Sequence, residues 1–218
     1  MIRLHHCPGT RSMRSLWLLH EIGVDFDLKV WPFDRTLRGP DYKALNPTGR
    51  VPALEMDGAV IVESGAIAEV LCERFSPEDL GRPAGHAERA KWLEWVHYAE
   101  TISQHCANLT QQHVMLRDDT MRSPIIMQLE AKRLAITLRT VDAALTGRDW
   151  LLAGGFSAAD IGVGQAVEMA RRFVRLDELA HLSDWFARIT ARPAFRASLP
   201  EGAGLYDRDF YAPWTKPE

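Results

Sequence analysis

The segment from Asn46 to Gly65 constrains the fold more than any other part of this chain. Pro52 has no N–H, so it fits the first residue of a strand better than the interior of one. Proline also forces Val51 into an extended conformation, which leaves the Val51 N–H and C=O available to a partner outside the fold. If the Val51-Pro52 bond is cis, both groups face a ligand backbone in the manner of a short strand edge.

A hairpin and a helix start follow directly. Two strand-like runs, 53–56 and 59–62, flank Asp57-Gly58, and Asp-Gly in this setting is the strongest short hairpin signal. Ser64 is predicted as the N-cap of the next helix, whose first N–H groups attract a carboxylate. Glu63 beside it can hold an ammonium. The pair therefore suits a ligand that carries a carboxylate and an ammonium side by side.

The first 75 residues have the periodicities of a mixed α/β domain. A strand starting at Ile2 stops at Pro8-Gly9, and an amphipathic helix from about Arg11 ends at Gly23. A second strand, a short helical turn, the hairpin and a further helix complete the order βαβαββα. The predicted first domain is 1–77, with a linker rich in proline and glycine at 78–86.

Beyond the linker, the spacing of apolar residues predicts only helices, so 87–218 is expected to be an all-helical domain. Ser157 and Asp160 form a capping-box pattern at the start of one helix. Gly162 and Gly164 inside that helix should each cost roughly 1 kcal/mol relative to Ala, which predicts close packing of the backbone there. The aromatic tail 202–218, which includes Trp214, is expected to pack across the domain boundary.

Charge and cysteine content exclude several function classes. The net charge of −3 gives no electrostatic footprint for nucleic acid or an anionic membrane, and no segment approaches the about 18 apolar residues of a membrane span. Three widely spaced cysteines indicate reduced thiols and a cytoplasmic location. His97, His105 and His113 lie eight residues apart, or about 12 Å of helix, which is too far for shared metal coordination.

Taken together, Val51-Pro52 and Glu63-Ser64 resemble the glutathione-binding motifs of cytosolic glutathione transferases, and the resemblance covers essentially the whole chain. The segment 10–19, TRSMRSLWLL, resembles the first helix of bacterial and yeast-type members. This resemblance implies a thioredoxin-like domain followed by a helical domain. It also implies a homodimer, in which the helix of Trp92 and Trp95 and the helix after Ser64 face the partner. The implied activity is a detoxifying conjugation of glutathione to a hydrophobic electrophile, with glutathione as substrate and without a cofactor or metal.

Two residues compete for the role of activating the glutathione thiol. Thr10 lies where the bacterial and yeast-type proteins have serine, and Ser12 is a further hydroxyl at the same helix start. Cys7-Pro8 lies where the omega class has a cysteine that forms a mixed disulfide with glutathione. The match over the whole helix favours Thr10. The alternatives are an N-cap role for Thr10 or Ser12, and burial of Cys7 as a small apolar residue.

The resemblance also implies the binding residues. Arg50 would reach the glycyl carboxylate of glutathione, while Val51, Pro52, Glu63 and Ser64 would hold the rest of the tripeptide. Side chains that lie off the core stripe of the long helix line either the second-substrate pocket or a dimer surface: Trp95, Tyr98 and His105. Two other functions stay open, an omega-like thiol transferase that uses Cys7 and a binding module without catalysis.

Overall fold

The N-terminal part of the chain is a four-stranded sheet with helices packed against it, in a computed structural model that describes residues 1–202, 204–206 and 208–211. The elements are β1 (Ile2–His6), α1 (Met13–Ile22), β2 (Asp27–Val30), α2 (Pro40–Lys43), β3 (Ala53–Met56), β4 (Ala59–Val62) and α3 (Ser64–Phe75), with a 3₁₀ turn at Arg35–Arg38. The strand order is β2-β1-β3-β4, and only β1 and β2 are parallel. The predicted thioredoxin-like order is confirmed.

The strand register brings three chain segments to one edge of this sheet. His5 of β1 lies opposite Ala53 of β3, and Ala53 lies opposite Val62 of β4. The chain therefore leaves β1, enters β3 and leaves β4 at the same edge. The predicted hairpin between β3 and β4 is also confirmed, with positive φ at Asp57 (53°) and Gly58 (81°), as a tight two-residue turn requires.

The rest of the described chain is helical. Its helices are α4 (Arg89–Thr110), α5 (Pro124–Ala144), α6 (Ala158–Ala170), α7 (Ala180–Thr190) and α8 (Pro193–Ala197), with a π-helical turn at Gln111–Met115 and a 3₁₀ turn at Asp119–Met121. Helix α6 is buried along nearly its whole length, and it packs against α4 and against α1 of the first domain. Among the described residues, no helix is long and apolar enough to cross a membrane.

The start of α6 contains the predicted capping box. The Asp160 carboxylate accepts the Ser157 N–H at 3.0 Å, and Ser157 caps the helix with its hydroxyl. Close packing is confirmed for Gly164, where an added Cβ would lie 2.5 Å from the side chain of Ile189. At Gly162, however, the nearest atom would be 3.4 Å away, which is ordinary contact, so crowding does not account for this glycine.

The described part of the tail packs across the domain boundary, as predicted. A Cβ on Gly9 would lie 2.9 Å from the backbone nitrogen of Leu205, so the tail rests on the loop before α1. The Tyr206 hydroxyl hydrogen bonds with Thr110 of α4 at 2.8 Å. Trp214 lies outside the described residues.

Candidate glutathione-binding site

The entry to β3 presents an unpaired stretch of backbone at the shared sheet edge. The Val51-Pro52 peptide bond is cis. The preceding carbonyl, of Arg50, accepts hydrogen bonds from the Tyr42 hydroxyl and the Asn46 amide, both at 2.7 Å, and these fix the loop. No hydrogen bond within the described part of the chain uses the Val51 N–H or C=O. Both groups can therefore pair with a ligand backbone.

The turn from β4 into α3 is strained. Glu63 has φ 70° and ψ 120°, and a positive φ in a residue other than glycine costs roughly 1–3 kcal/mol. Its side chain is exposed. This conformation corrects one prediction: Ser64 is the first residue of α3 and not its N-cap, because Glu63, whose φ and ψ are not helical, occupies the N-cap position. The N–H groups of the first turn still point to the shared edge.

Arg14 connects this helix start to the second domain. Its guanidinium is buried, and it donates to the Ser64 hydroxyl at 3.1 Å. It also donates to the Gln165 side chain at 2.9 Å and to Glu100. Its two further acceptors are the Ala99 carbonyl at 3.2 Å and the Ser103 hydroxyl at 2.5 Å.

The carboxylate of Glu100 is shared between two arginines. Arg11 donates to its second oxygen at 2.5 Å, while Arg14 donates to the first. Burial acts to raise the pKa of Glu100, but the charges of Arg14 and Arg11 outweigh it, so the pKa is lowered and the group stays ionised. Sequence analysis missed this network, although a charged residue amid the apolar first helix was a signal that it needed a partner.

The loop between β1 and α1 carries the three candidate catalytic residues. The Thr10 hydroxyl is half-buried and donates to the Cys7 carbonyl at 2.7 Å. Ser12 is fully buried, and its oxygen lies 2.9 Å from Thr10 Oγ1, 2.8 Å from His6 Nδ1 and 3.0 Å from the Cys7 nitrogen, whose N–H it accepts. Ser12 occupies the N-cap position of α1 but makes no side-chain capping bond.

Cys7 is fully buried. Burial, with a smaller contribution from the Asp34 carboxylate, raises the pKa of the Cys7 thiol to about 11. The thiolate is the nucleophilic form of cysteine, and at neutral pH almost none is present here. The free protein therefore gives Cys7 neither the exposure nor the ionisation of a reactive thiol.

The three residues predicted for a second-substrate pocket lie on the α5 side of α4. His105 Nδ1 contacts the buried Glu130 carboxylate at 2.8 Å, and Tyr98 donates to the Thr137 carbonyl at 3.3 Å. Trp95 is buried against the Tyr98 ring, with 5.2 Å between centroids. The opposite face of α4 meets the first domain through Glu100. The geometry does not support the pocket role, and the expectation that these residues lie off the core is wrong for Trp95 and His105.

The remaining predicted residues lie as follows. Arg50 is exposed beside Val51, and Pro52 is buried at the entry to β3. No group of three or more His, Cys, Asp or Glu side chains within the described residues could hold a metal ion. The site therefore consists of the Val51 backbone, the start of α3 and the loop before α1.

Comparison with known proteins decides the family. A sequence model of the glutathione S-transferase N-terminal domain matches residues 9–74. A glutathione S-transferase of Escherichia coli O157:H7 is 30% identical over 205 residues, covering 91% of this chain and 97% of that protein. The chain belongs to the glutathione S-transferase family. A Schizosaccharomyces pombe glutathione S-transferase is 26% identical and covers 90% of this chain and 86% of that one.

Solved structures of this family have the same fold. A theta-class glutathione S-transferase from Xanthomonas axonopodis pv. citri, with glutathione bound, superposes with a TM-score of 0.81 at 27% identity. The superposition covers 94% of this chain and 99% of the Xanthomonas protein. A Xylella fastidiosa glutathione S-transferase also gives 0.81 at 27% identity, covering 91% and 97%. The predicted thioredoxin-like domain with a helical domain is thus the fold of the family.

Proposed function

We propose that this protein conjugates glutathione to a hydrophobic electrophile, and that it binds glutathione along the shared sheet edge. The observation that carries the proposal is the Val51 backbone, which pairs with no other described residue, beside a strained helix start at Glu63-Ser64. The cysteinyl backbone of glutathione pairs with Val51. Its γ-glutamyl carboxylate meets the first turn of α3, and its ammonium meets Glu63. Arg50 reaches the glycyl carboxylate.

Glu63 gives the sharpest test of binding. Glu63→Ala leaves the ligand ammonium without its partner and should weaken glutathione binding by about 1–3 kcal/mol, measured by calorimetry. Glu78→Ala is the matched control, because Glu78 is also exposed but lies after the end of α3. Equal affinities of the two variants and the parent protein would refute this placement of glutathione.

The thiol activator is the Thr10 hydroxyl in this proposal. Thr10 is half-buried at the start of α1, whereas Cys7 is buried with a raised pKa. Thr10→Ala should remove a charge-assisted hydrogen bond of about 1.5–3 kcal/mol and slow conjugation roughly ten- to a hundred-fold. Cys7→Ser should have little effect. A disulfide adduct on Cys7 in intact-mass spectra after exposure to oxidised glutathione, with an indifferent Thr10→Ala variant, would favour the omega-like thiol transferase instead. A parent protein that binds glutathione but has neither conjugation nor thiol-transfer activity would favour a binding module.

A homodimer in the cytoplasm is part of the proposal. Of the two helices expected to face the partner, α3 and α4, the second has Trp92 and Trp95 buried within the chain, so these two side chains do not form the contact. Exposed apolar side chains do share one face of α5, namely Ile125 (78%), Leu129 (44%) and Ile136 (60%), and they suit a two-fold contact. The three unpaired cysteines fit a reducing compartment. Light scattering that gives the mass of one 24.6 kDa chain would exclude the dimer.

A further inference from the structure

Three consecutive hydrogen-bond contacts run from the end of β1 to Thr10. His6 Nδ1 lies 2.8 Å from Ser12 Oγ, Ser12 Oγ lies 2.9 Å from Thr10 Oγ1, and Thr10 Oγ1 lies 2.7 Å from the Cys7 carbonyl oxygen. The Cys7 N–H also donates to Ser12 Oγ, at 3.0 Å, and it supplies its own proton. Each of these three contacts needs one further proton to be a hydrogen bond. A fourth and longer contact competes for the Ser12 proton, because Ser12 Oγ also lies 3.1 Å from the Cys7 carbonyl oxygen.

The arrangement that puts a proton in each of the three shortest contacts sets the tautomer of His6. A carbonyl oxygen can only accept a hydrogen bond, so the Thr10 hydroxyl must donate its proton to the Cys7 carbonyl. The Ser12 hydroxyl then donates to Thr10 at 2.9 Å and not to the Cys7 carbonyl at 3.1 Å, because otherwise the two hydroxyl oxygens would face each other at the shorter distance without a proton. Ser12 consequently accepts from His6, and the third proton is on His6 Nδ1.

We propose that His6 is a positioning residue: its Nδ1–H donates to Ser12, Ser12 donates to Thr10, and Thr10 turns its own proton from the Cys7 carbonyl to the glutathione sulfur when the thiolate binds. The proposal rests on the proposed function of Thr10. Each donor in such a row polarises the next, so the last hydroxyl becomes a stronger donor to a negative sulfur. His6 does not touch the substrate and acts only through Ser12.

The surroundings of His6 suit this role. The side chain is only 4% exposed, and its backbone carbonyl is fixed by the Trp31 N–H at 2.8 Å. Burial lowers the pKa of His6 to about 4, so the imidazole is neutral at physiological pH and keeps one ring proton. Ser12 is fully buried, so water does not compete for its hydroxyl.

The tautomer can be tested directly on the unaltered protein. Long-range ¹H–¹⁵N spectra distinguish the two neutral tautomers of a histidine, and the His6 signals among the eight histidines are assigned by their loss in His6→Phe. We expect protonated Nδ1 and unprotonated Nε2, both with and without glutathione. A proton on Nε2 would overturn the proposal, whatever the variants do.

The functional effect is tested by the apparent pKa of bound glutathione, followed by the ultraviolet absorbance of its thiolate. His6→Phe removes the first donor and should raise this pKa, lowering the conjugation rate at pH 6.5 by up to roughly 5-fold if upstream donors add about 10–30% to the final bond. His6→Asn restores an N–H donor and should recover the parent value. Loss of stability alone would not move the thiol pKa.

Thr10→Ala separates this proposal from the one on which it depends. If Thr10→Ala raises the thiol pKa but His6→Phe leaves it unchanged, the role of His6 is refuted and that of Thr10 stands. If Thr10→Ala itself leaves the thiol pKa unchanged, the proposed activation by Thr10 fails first. The double variant His6→Phe/Thr10→Ala should raise the thiol pKa no further than Thr10→Ala alone, because the Thr10 hydroxyl through which His6 acts is then absent.

Discussion

Replacing Arg14 by methionine should destabilise the protein by about 3 kcal/mol, at the lower end of the range for breaking a buried ion pair. The substitution keeps a long apolar side chain but removes every donor. Three buried side-chain acceptors then lose their partner: the Gln165 amide oxygen and the hydroxyls of Ser64 and Ser103, at about 1 kcal/mol each. The Ala99 carbonyl loses only a second donor, because it lies inside α4. Glu100 adds little, because its side chain is 44% exposed and keeps Arg11.

The assay is urea unfolding, followed by the fluorescence of the seven tryptophans. Arg11→Met is the matched control, since it removes the same charge from the same carboxylate. Arg11 is 30% exposed, and within the described part of the chain its side chain donates to Glu100 alone, so its loss should cost less than about 1 kcal/mol. An equal decrease in the free energy of unfolding of the two variants would refute the reasoning, because the buried acceptors of Arg14 would then contribute nothing to stability.

Two further predictions concern pH and packing. Burial lowers the pKa of both His6 and His113 from 6.5 to about 4, so the unfolded chain binds more protons between these values. The free energy of unfolding should therefore fall by about 2 kcal/mol per histidine from pH 7 to pH 5. In urea titrations, His6→Phe should remove the part of this fall that comes from His6. Gly164→Ala should cost about 1–3 kcal/mol through crowding against Ile189. Gly162→Ala should stabilise by up to about 1 kcal/mol, and thermal melts that move both alanine variants in one direction would contradict this contrast.

Much of the fold could be predicted because its signals are local. The Asp57-Gly58 turn needs two positive φ values, which these residue types supply. The capping box at Ser157 and Asp160 is read from residues three apart. Helix starts are less sharply encoded: α1 begins at Met13 and not near Arg11.

The contacts that could not be predicted join residues far apart in the chain. His105 and Glu130 are 25 residues apart, and each looks like a surface residue until the two meet between α4 and α5. Arg14 and Gln165 are 151 residues apart. Apolar periodicity does not report such pairs, because a charged side chain is buried only when its partner arrives from another element. The Val51 motif was found because its constraint lies in one proline.

These distant contacts bear directly on the candidate site. The first domain supplies the Val51 backbone, the start of α3 and the loop before α1, but two of these three parts are held from outside it. Ser64 is linked through Arg14 to α4 and α6, and Gly9 is covered by Leu205 of the tail. A positive φ at Glu63 persists only where its surroundings impose it. The helical domain therefore contributes to the candidate site by fixing the geometry of residues that belong to the other domain.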